Sequence, residues 1–288
     1  MRIMYYRRLP HFEYLAPRSV EEACSLLQKY EGETRIKAGG TIVIHRMKER
    51  IGVPKYLMSL KAINDFDHIT FDESTGIKIG AMASLQSIAD STVVKEKSGM
   101  LAVVCRKLGT PQIRNMGTIG GNIASRFATA ETVPALIALG AEAKIATTGG
   151  EKTVAIENLY KELKEEELIT EIRVPALPSG TKGGYQKFAI RERLDYATVS
   201  AAVVMVIDKG ICKDIKIALG GVTFPTMRQK RAEEAVKGKT ITDSLIGKAA
   251  QVASEDGKTG TDIYFSAEYK KELLKVMVER AMGQALKA

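Results

Sequence analysis

No tryptophan occurs among the 288 residues, and aromatic side chains make up only 6% of them. A platform for stacking single-stranded bases is therefore not expected, since such platforms rest on exposed rings. Cysteine is scarce too: Cys24, Cys105 and Cys212 are odd in number and far apart. Without a C-x-x-C or C-x-x-H spacing the chain offers neither a zinc site nor an iron–sulfur cluster of its own. Reduced thiols in a cytoplasmic protein are the simplest expectation. His11, His45 and His68 form no metal-like pattern, so no metal ligand is assigned. No apolar run approaches the roughly 18 residues of a membrane span, and the first 17 residues lack the apolar segment of a secretory signal. Neither a G-x-x-x-x-G-K-[ST] loop nor a strand-borne G-x-G-x-x-G is present, which argues against P-loop and Rossmann nucleotide sites.

What the chain does have is an ordinary globular balance, 45% hydrophobic and 27% charged, with a net charge of +9. The excess of lysine admits nucleic acid or an acidic partner. Yet the cations are interleaved with glutamates, as in the stretch 161–171, and no basic stripe forms; a solvated surface is the plainer reading.

Periodicity outlines the elements. Ser19 can cap a helix in which Val20, Ala23, Cys24 and Leu27 recur at helical spacing, with Gly32 placed to stop it. A short strand, 35–38, runs into Gly39-Gly40, followed by a helix or extended turn over 41–50 and a strand over 54–60. Ile69, Phe71, Ile77 and Ile79 alternate around a turn, as in a hairpin. Helices are expected over 84–90 and 98–109, with Pro111 breaking the second. A compact apolar helix over 132–139 ends at Gly140, and strands follow at 141–146 and 168–174. The Pro/Gly/Ser-rich passage 175–184 marks a domain boundary. Beyond it the pattern reads as two strands, 197–208 and 211–219, then helices at 228–236, 244–252 and 267–286.

Two glycine-rich segments carry the chemistry: Lys37-Ala38-Gly39-Gly40-Thr41 and Gly117-Thr118-Ile119-Gly120-Gly121-Asn122. Each is expected to join a strand to a helix or turn. Phosphates need many donors in a small space, and glycine lets the backbone approach closely with its N–H groups turned inward; a helix N-terminus adds its dipole. Either segment alone could be a tight turn. Two of them can hold the two phosphates of a dinucleotide, and backbone amides at both bends are expected to meet a single diphosphate.

The segments belong to a longer series: Ala38-Gly39-Gly40-Thr41; Gln112-Ile113-Arg114-Asn115-Met116 leading into the second glycine run and Ile123-Ala124; Glu167-Leu168-Ile169-Thr170-Glu171-Ile172; Lys187, Arg191 and Asp195-Tyr196-Ala197; and Ala218-Leu219-Gly220-Gly221-Val222 with Pro225 and Arg228. In order and spacing the series resembles the FAD-binding medium subunit of the molybdenum hydroxylases, the flavin part of xanthine dehydrogenase and carbon monoxide dehydrogenase. The resemblance implies an α+β fold: a two-subdomain FAD-binding domain of the vanillyl-alcohol oxidase type over 1–178 (subdomains about 1–60 and 61–178), then a C-terminal domain of a small antiparallel sheet with helices over 183–288. It implies that Ile36, Lys37, Ala38, Gly39, Gly40, Thr41, Ile42 and Val43 wrap the pyrophosphate, and that Thr118, Ile119, Gly120, Gly121 and Asn122 meet it from the other side. Leu108 falls where the family has an apolar residue near the cofactor. Glu131 stands where the family usually has Asp, facing the adenosine; Ile169 and Lys187 lie toward the flavin ring, and Tyr196 is a candidate to stack on it.

On this resemblance the chain holds FAD but no molybdenum. Electrons arrive from a [2Fe–2S] small subunit, originating at a large subunit with molybdenum and its pterin, and leave to NAD(P) or another acceptor, in a heterotrimer or its dimer. Two departures stand out. Arg126, Phe127 and Ala128 follow Asn122 where the family commonly shows a small residue, Ser and Pro, and the segment 157–166 is shorter than usual. A stand-alone flavoenzyme of the same fold is the rival reading, although no proton donor for it is evident; a basic nucleic-acid-binding or scaffold protein is a more distant one.

Overall fold

The computed structural model describes residues 8–222 and 226–288; Pro225 lies outside them. Three sheets organise the chain. The first is parallel, with β3 (Tyr56–Ser59) between β1 (Glu13–Leu15) and β2 (Thr34–Lys37). Its crossover helix α1 (Val20–Lys29) starts as expected: the Ser19 side chain accepts from the Glu22 amide, and Ala23, Cys24 and Leu27 are buried. The second is antiparallel and five-stranded, in the order β4 (Ile69–Asp72), β5 (Gly76–Gly80), β8 (Leu168–Val174), β6 (Glu142–Thr147), β7 (Gly150–Ala155). The third is antiparallel, with β10 (Val199–Asp208) between β9 (Thr181–Phe188) and β11 (Ile211–Gly220). Mixed helix and sheet, in two regions, is thus the architecture.

Some expectations give way. Pro111 does not break a helix but opens one, α6 (Pro111–Met116), sitting in its first turn behind the cap Thr110; a first-turn proline loses no hydrogen bond because that N–H is unsatisfied anyway. The second glycine segment consequently follows a helix rather than a strand, and is itself mostly helical: Thr118 caps α7 (Ile119–Ala124). The Pro/Gly-rich boundary ends sooner than its composition suggests, since Gly183 and Gly184 lie within β9. The third sheet has three strands rather than two, packed on α11 (Asp243–Asp256) and α12 (Ala267–Lys287).

β10 is buried along both faces. Val199, Ala201, Val203 and Met205 belong to the core formed with α11 and α12. Ala202 and Val204 join Tyr185 and Ala218 in the other core, beside α5 (Gly99–Lys107) and α8 (Thr132–Leu139). A strand enclosed on both faces reads as a continuous apolar run. No helix among the described residues is long and apolar enough to cross a membrane.

Candidate FAD site

A cavity of about 820 Å3 opens between the first two sheets and the β9–β10 turn, within the size range of cofactor sites. Of the expected residues, Ile36, Ala38, Gly39, Gly40, Thr41, Ile42, Val43, Leu108, Thr118, Gly120, Gly121, Asn122, Glu131, Ile169 and Tyr196 line it. Lys37, Ile119 and Lys187 do not. Ile119 is fully buried in the core, and Lys37 packs beneath Gly40, whose Cβ would meet its side chain at 3.3 Å.

The two glycine segments touch. A Cβ on Gly39 would fall 1.8 Å from the Met116 carbonyl oxygen, and one on Gly121 would meet the Ala38 side chain at 3.4 Å. Gly39 is therefore needed to seat one segment on the other, not simply to admit a ligand. A Cβ on Gly120 would likewise fall 2.8 Å from the Ala81 carbonyl oxygen.

Their amides are used differently. In the second segment the Ile119 amide donates to the Ala83 carbonyl (3.1 Å), Gly120 to the Ala81 carbonyl (2.9 Å), Gly121 to the Thr118 hydroxyl (3.1 Å) and Asn122 to the Thr118 carbonyl (2.9 Å). The first-turn amides a helix ordinarily leaves open are closed here by the chain itself. In the first segment, by contrast, the amides of residues 38–43 have no acceptor among the described residues. N–H groups in a row without acceptors, on half-buried residues that line a cavity, suit an anion with several acceptor oxygens.

What the second segment turns to the cavity is side-chain chemistry. Thr118 is 5% exposed, and its hydroxyl already accepts from Gly121, so its hydrogen is available to donate. Asn122 accepts on Oδ1 from the Thr132 hydroxyl at 2.6 Å and the Thr132 amide at 3.4 Å. That fixes the orientation of its carboxamide and leaves the Nδ2 donors toward the cavity. The buried Arg114, a motif residue with no role assigned from sequence, donates to the carbonyls of Gly109 (2.8 Å) and Leu108 (3.3 Å) and to Gln86 (2.8 Å). It thereby fixes the backbone that presents Leu108.

Several lining residues were not among the expected cofactor residues. Arg126, marked in the sequence only as a departure from the family pattern, is one. It donates to the Leu163 carbonyl at 2.7 Å and lies over the Tyr160 ring, while Tyr160 donates to the Ile123 carbonyl. The two departures from the family pattern thus meet and brace each other, and Leu163, Lys164 and Glu165 complete that wall. Their composition was the available signal. Ala81 and Met82 also line the cavity and carried no signal, because only tertiary packing brings them there.

Glu131 and Lys187 form an ion pair with side chains 3% and 5% exposed. Burial pushes the Glu131 carboxyl up to about 7, against the opposing pull of Lys187 and the Ala197 amide. The other rim carries Leu194 and Tyr196, 60% and 70% exposed yet lining the cavity. The three free thiols are buried, and burial raises each. No group of three or more metal-ligating side chains occurs among the described residues.

The residues present fit a dinucleotide: amides without acceptors that suit a diphosphate, and on the same wall apolar Leu108 and Ile169 and the Tyr196 ring. Comparison with known proteins agrees. Residues 10–177 match the FAD binding domain in molybdopterin dehydrogenase, and residues 184–285 match the CO dehydrogenase flavoprotein C-terminal domain. The chain is 32% identical over 281 residues to the carbon monoxide dehydrogenase medium chain of Hydrogenophaga pseudoflava, covering 96% of this chain and 97% of that one. It is 31% identical to the glyceraldehyde dehydrogenase medium chain of Sulfolobus acidocaldarius, over 96% and 98% of the two. The solved structure of the Hydrogenophaga carbon monoxide dehydrogenase superposes with a TM-score of 0.94 at 33% identity, covering 97% of this chain and 99% of that one. The chain belongs to the FAD-binding subunits of the molybdopterin dehydrogenases, and is an oxidoreductase component.

Proposed function

We propose that this chain is the FAD-carrying electron-transfer subunit of a molybdenum hydroxylase complex, taking electrons from a [2Fe–2S] small subunit served by a molybdenum-pterin large subunit and passing them to NAD(P) or another acceptor. One observation carries the reading: six consecutive amides, residues 38–43, stand without acceptors on the wall of a cavity that also receives the Thr118 hydroxyl and the Asn122 carboxamide. When bound, FAD supplies a store for two electrons between a one-electron donor and the final acceptor. The chain's own part is to hold and shield it. Residues 38–43, with Thr118 and Asn122, take the diphosphate; Glu131 faces the adenosine; Leu108, Ile169 and Tyr196 bound the ring. Lys187 reaches the site through its partners.

The boundaries that go with this reading are a FAD-binding domain over 1–178 and a C-terminal domain over 183–288. The assembly is a heterotrimer or its dimer, and the compartment is cytoplasmic, in keeping with three unpaired buried cysteines. The purified chain should bind one FAD and show flavin absorption bands; a colourless chain that takes up no FAD would overturn the reading. Supplying the reduced iron–sulfur partner should then bleach those bands within turnover time.

A further inference from the structure

Lys187 sits on β9 in the C-terminal region, yet its ammonium is directed at the other side of the molecule. It donates to both oxygens of Glu131, at 3.0 and 3.2 Å, and to the backbone carbonyl of Asp195, at 3.2 Å. An ammonium has three N–H donors, and all three are accounted for. The side chain is 5% exposed and does not reach the cavity surface, so no donor remains for a bound molecule.

Asp195 is held at two points. Lys187 takes its carbonyl from beneath, and Arg191 takes its carboxylate from outside, with the amide at 2.9 Å and the guanidinium Nε at 3.0 Å. Its neighbours Leu194 and Tyr196 are the most exposed of the large apolar side chains that line the cavity. The remainder of the turn is tied to the sheet by the Thr198 amide, which donates to the Phe188 carbonyl at 2.8 Å. The Ala197 amide also donates to the Glu131 carboxyl, so the turn is tied to the first domain at that carboxyl, by Lys187 through the Asp195 carbonyl and by Ala197 directly.

We propose that Lys187 is a positioning residue: by holding the Glu131 carboxyl and the Asp195 carbonyl together, it latches the β9–β10 turn to the first domain and sets Leu194 and Tyr196 over the cavity. The inference rests on the FAD reading for what lies beneath the turn, but the latch itself is a property of the chain. It also assigns a cost to losing Lys187 alone, which would leave the Glu131 carboxyl buried with the Ala197 amide but no counter-charge.

The test uses the full-length chain as wild type, as Lys187→Met and as the double variant Glu131→Leu with Lys187→Met, which leaves no buried charge behind. Trypsin cleavage after Arg191 is timed by mass spectrometry with and without FAD, alongside iodide quenching of bound flavin fluorescence. Cleavage there needs the turn to open locally, and loss of a charge-assisted hydrogen bond should speed it about tenfold in both variants and in both FAD states. Iodide should reach the bound flavin more readily, while cleavage at other sites stays at the wild-type rate. Wild-type cleavage and quenching in the double variant would overturn the proposal. So would a loss of FAD affinity with the turn still protected, which would make Lys187 a direct ligand. A wild-type chain that binds no FAD would sink the cofactor reading instead, and the FAD-free cleavage rates would still decide the latch.

Discussion

The two glycine-rich segments have nearly the same composition and border the same cavity, yet they work in opposite ways. The first leaves the amides of residues 38–43 without acceptors. The second closes its own amides on residues 81, 83 and 118 and offers a hydroxyl and a carboxamide instead. Glycine in a ligand wall therefore does not by itself signal an open amide. In Gly39 and Gly120 the missing side chain makes room for neighbouring backbone; Gly39 keeps an open amide besides, whereas the Gly120 amide is closed on Ala81.

The sharpest way to break this contrast is to refill the contact between the segments. Gly39→Ala places a methyl 1.8 Å from a backbone carbonyl that cannot swing away; overpacking of that kind should cost about 3 kcal/mol or more. The expected result is a clear fall in the melting temperature even without FAD. A variant that melts like the parent would mean the segments are not seated on each other. Asn122→Asp isolates the side-chain contribution of the second segment. An Asp oxygen can still accept from Thr132, so the fold should hold, but the cavity loses a donor and gains a negative charge. FAD affinity should fall by about 2 kcal/mol, some thirtyfold, as measured by titration of flavin fluorescence; unchanged affinity would remove Asn122 from the phosphate site. Thr41→Val should do least. Its hydroxyl makes no bond within the described residues, while its amide, which does the binding in this reading, survives, so a loss within about 1 kcal/mol is expected. A larger loss would shift the weight from amides to side chains in the first segment too.

Acid titration tests the second side in another way, through the buried carboxyl of Glu131. Its folded pKa lies above the ordinary value of 4.5, at about 7. Below pH 4.5 both folded and unfolded chains hold the proton and the group is neutral to stability. Between 4.5 and 7 the unfolded chain releases it first, so stability falls as pH rises; above 7 the cost is complete. Relative to Glu131→Gln, the parent should lose thermal stability across that window. Parallel pH curves for the two proteins would contradict the assignment.

Much of this was legible in the sequence. Ser19 caps the helix that follows it, Gly140 ends α8 in the left-handed conformation, and the hairpin at 69–80 pairs Ile69 with Ile79 and Phe71 with Ile77. These are local effects, written within a few residues. The first glycine segment was legible for the same reason: a strand, a glycine pair and a helix follow one another directly. The second was not, because its neighbours 81–83 compete for its amides from more than thirty residues away. Pro111 was misjudged because proline stops a helix in its interior and starts one at its first turn, and only the Thr110 cap separates the two cases. The buried pair of Glu131 and Lys187 joins residues 56 positions apart, and no periodicity encodes such a meeting.

The enclosure of β10 has a practical consequence. Because its odd-numbered and even-numbered side chains enter different cores, the passage around 178–182 is a seam in the chain but not in the packing. Severing the polypeptide there would strip an apolar wall from each half, and the separated pieces should stick to one another or precipitate. Anyone wishing to graft this flavin module onto another complex would do better to move both halves as one block.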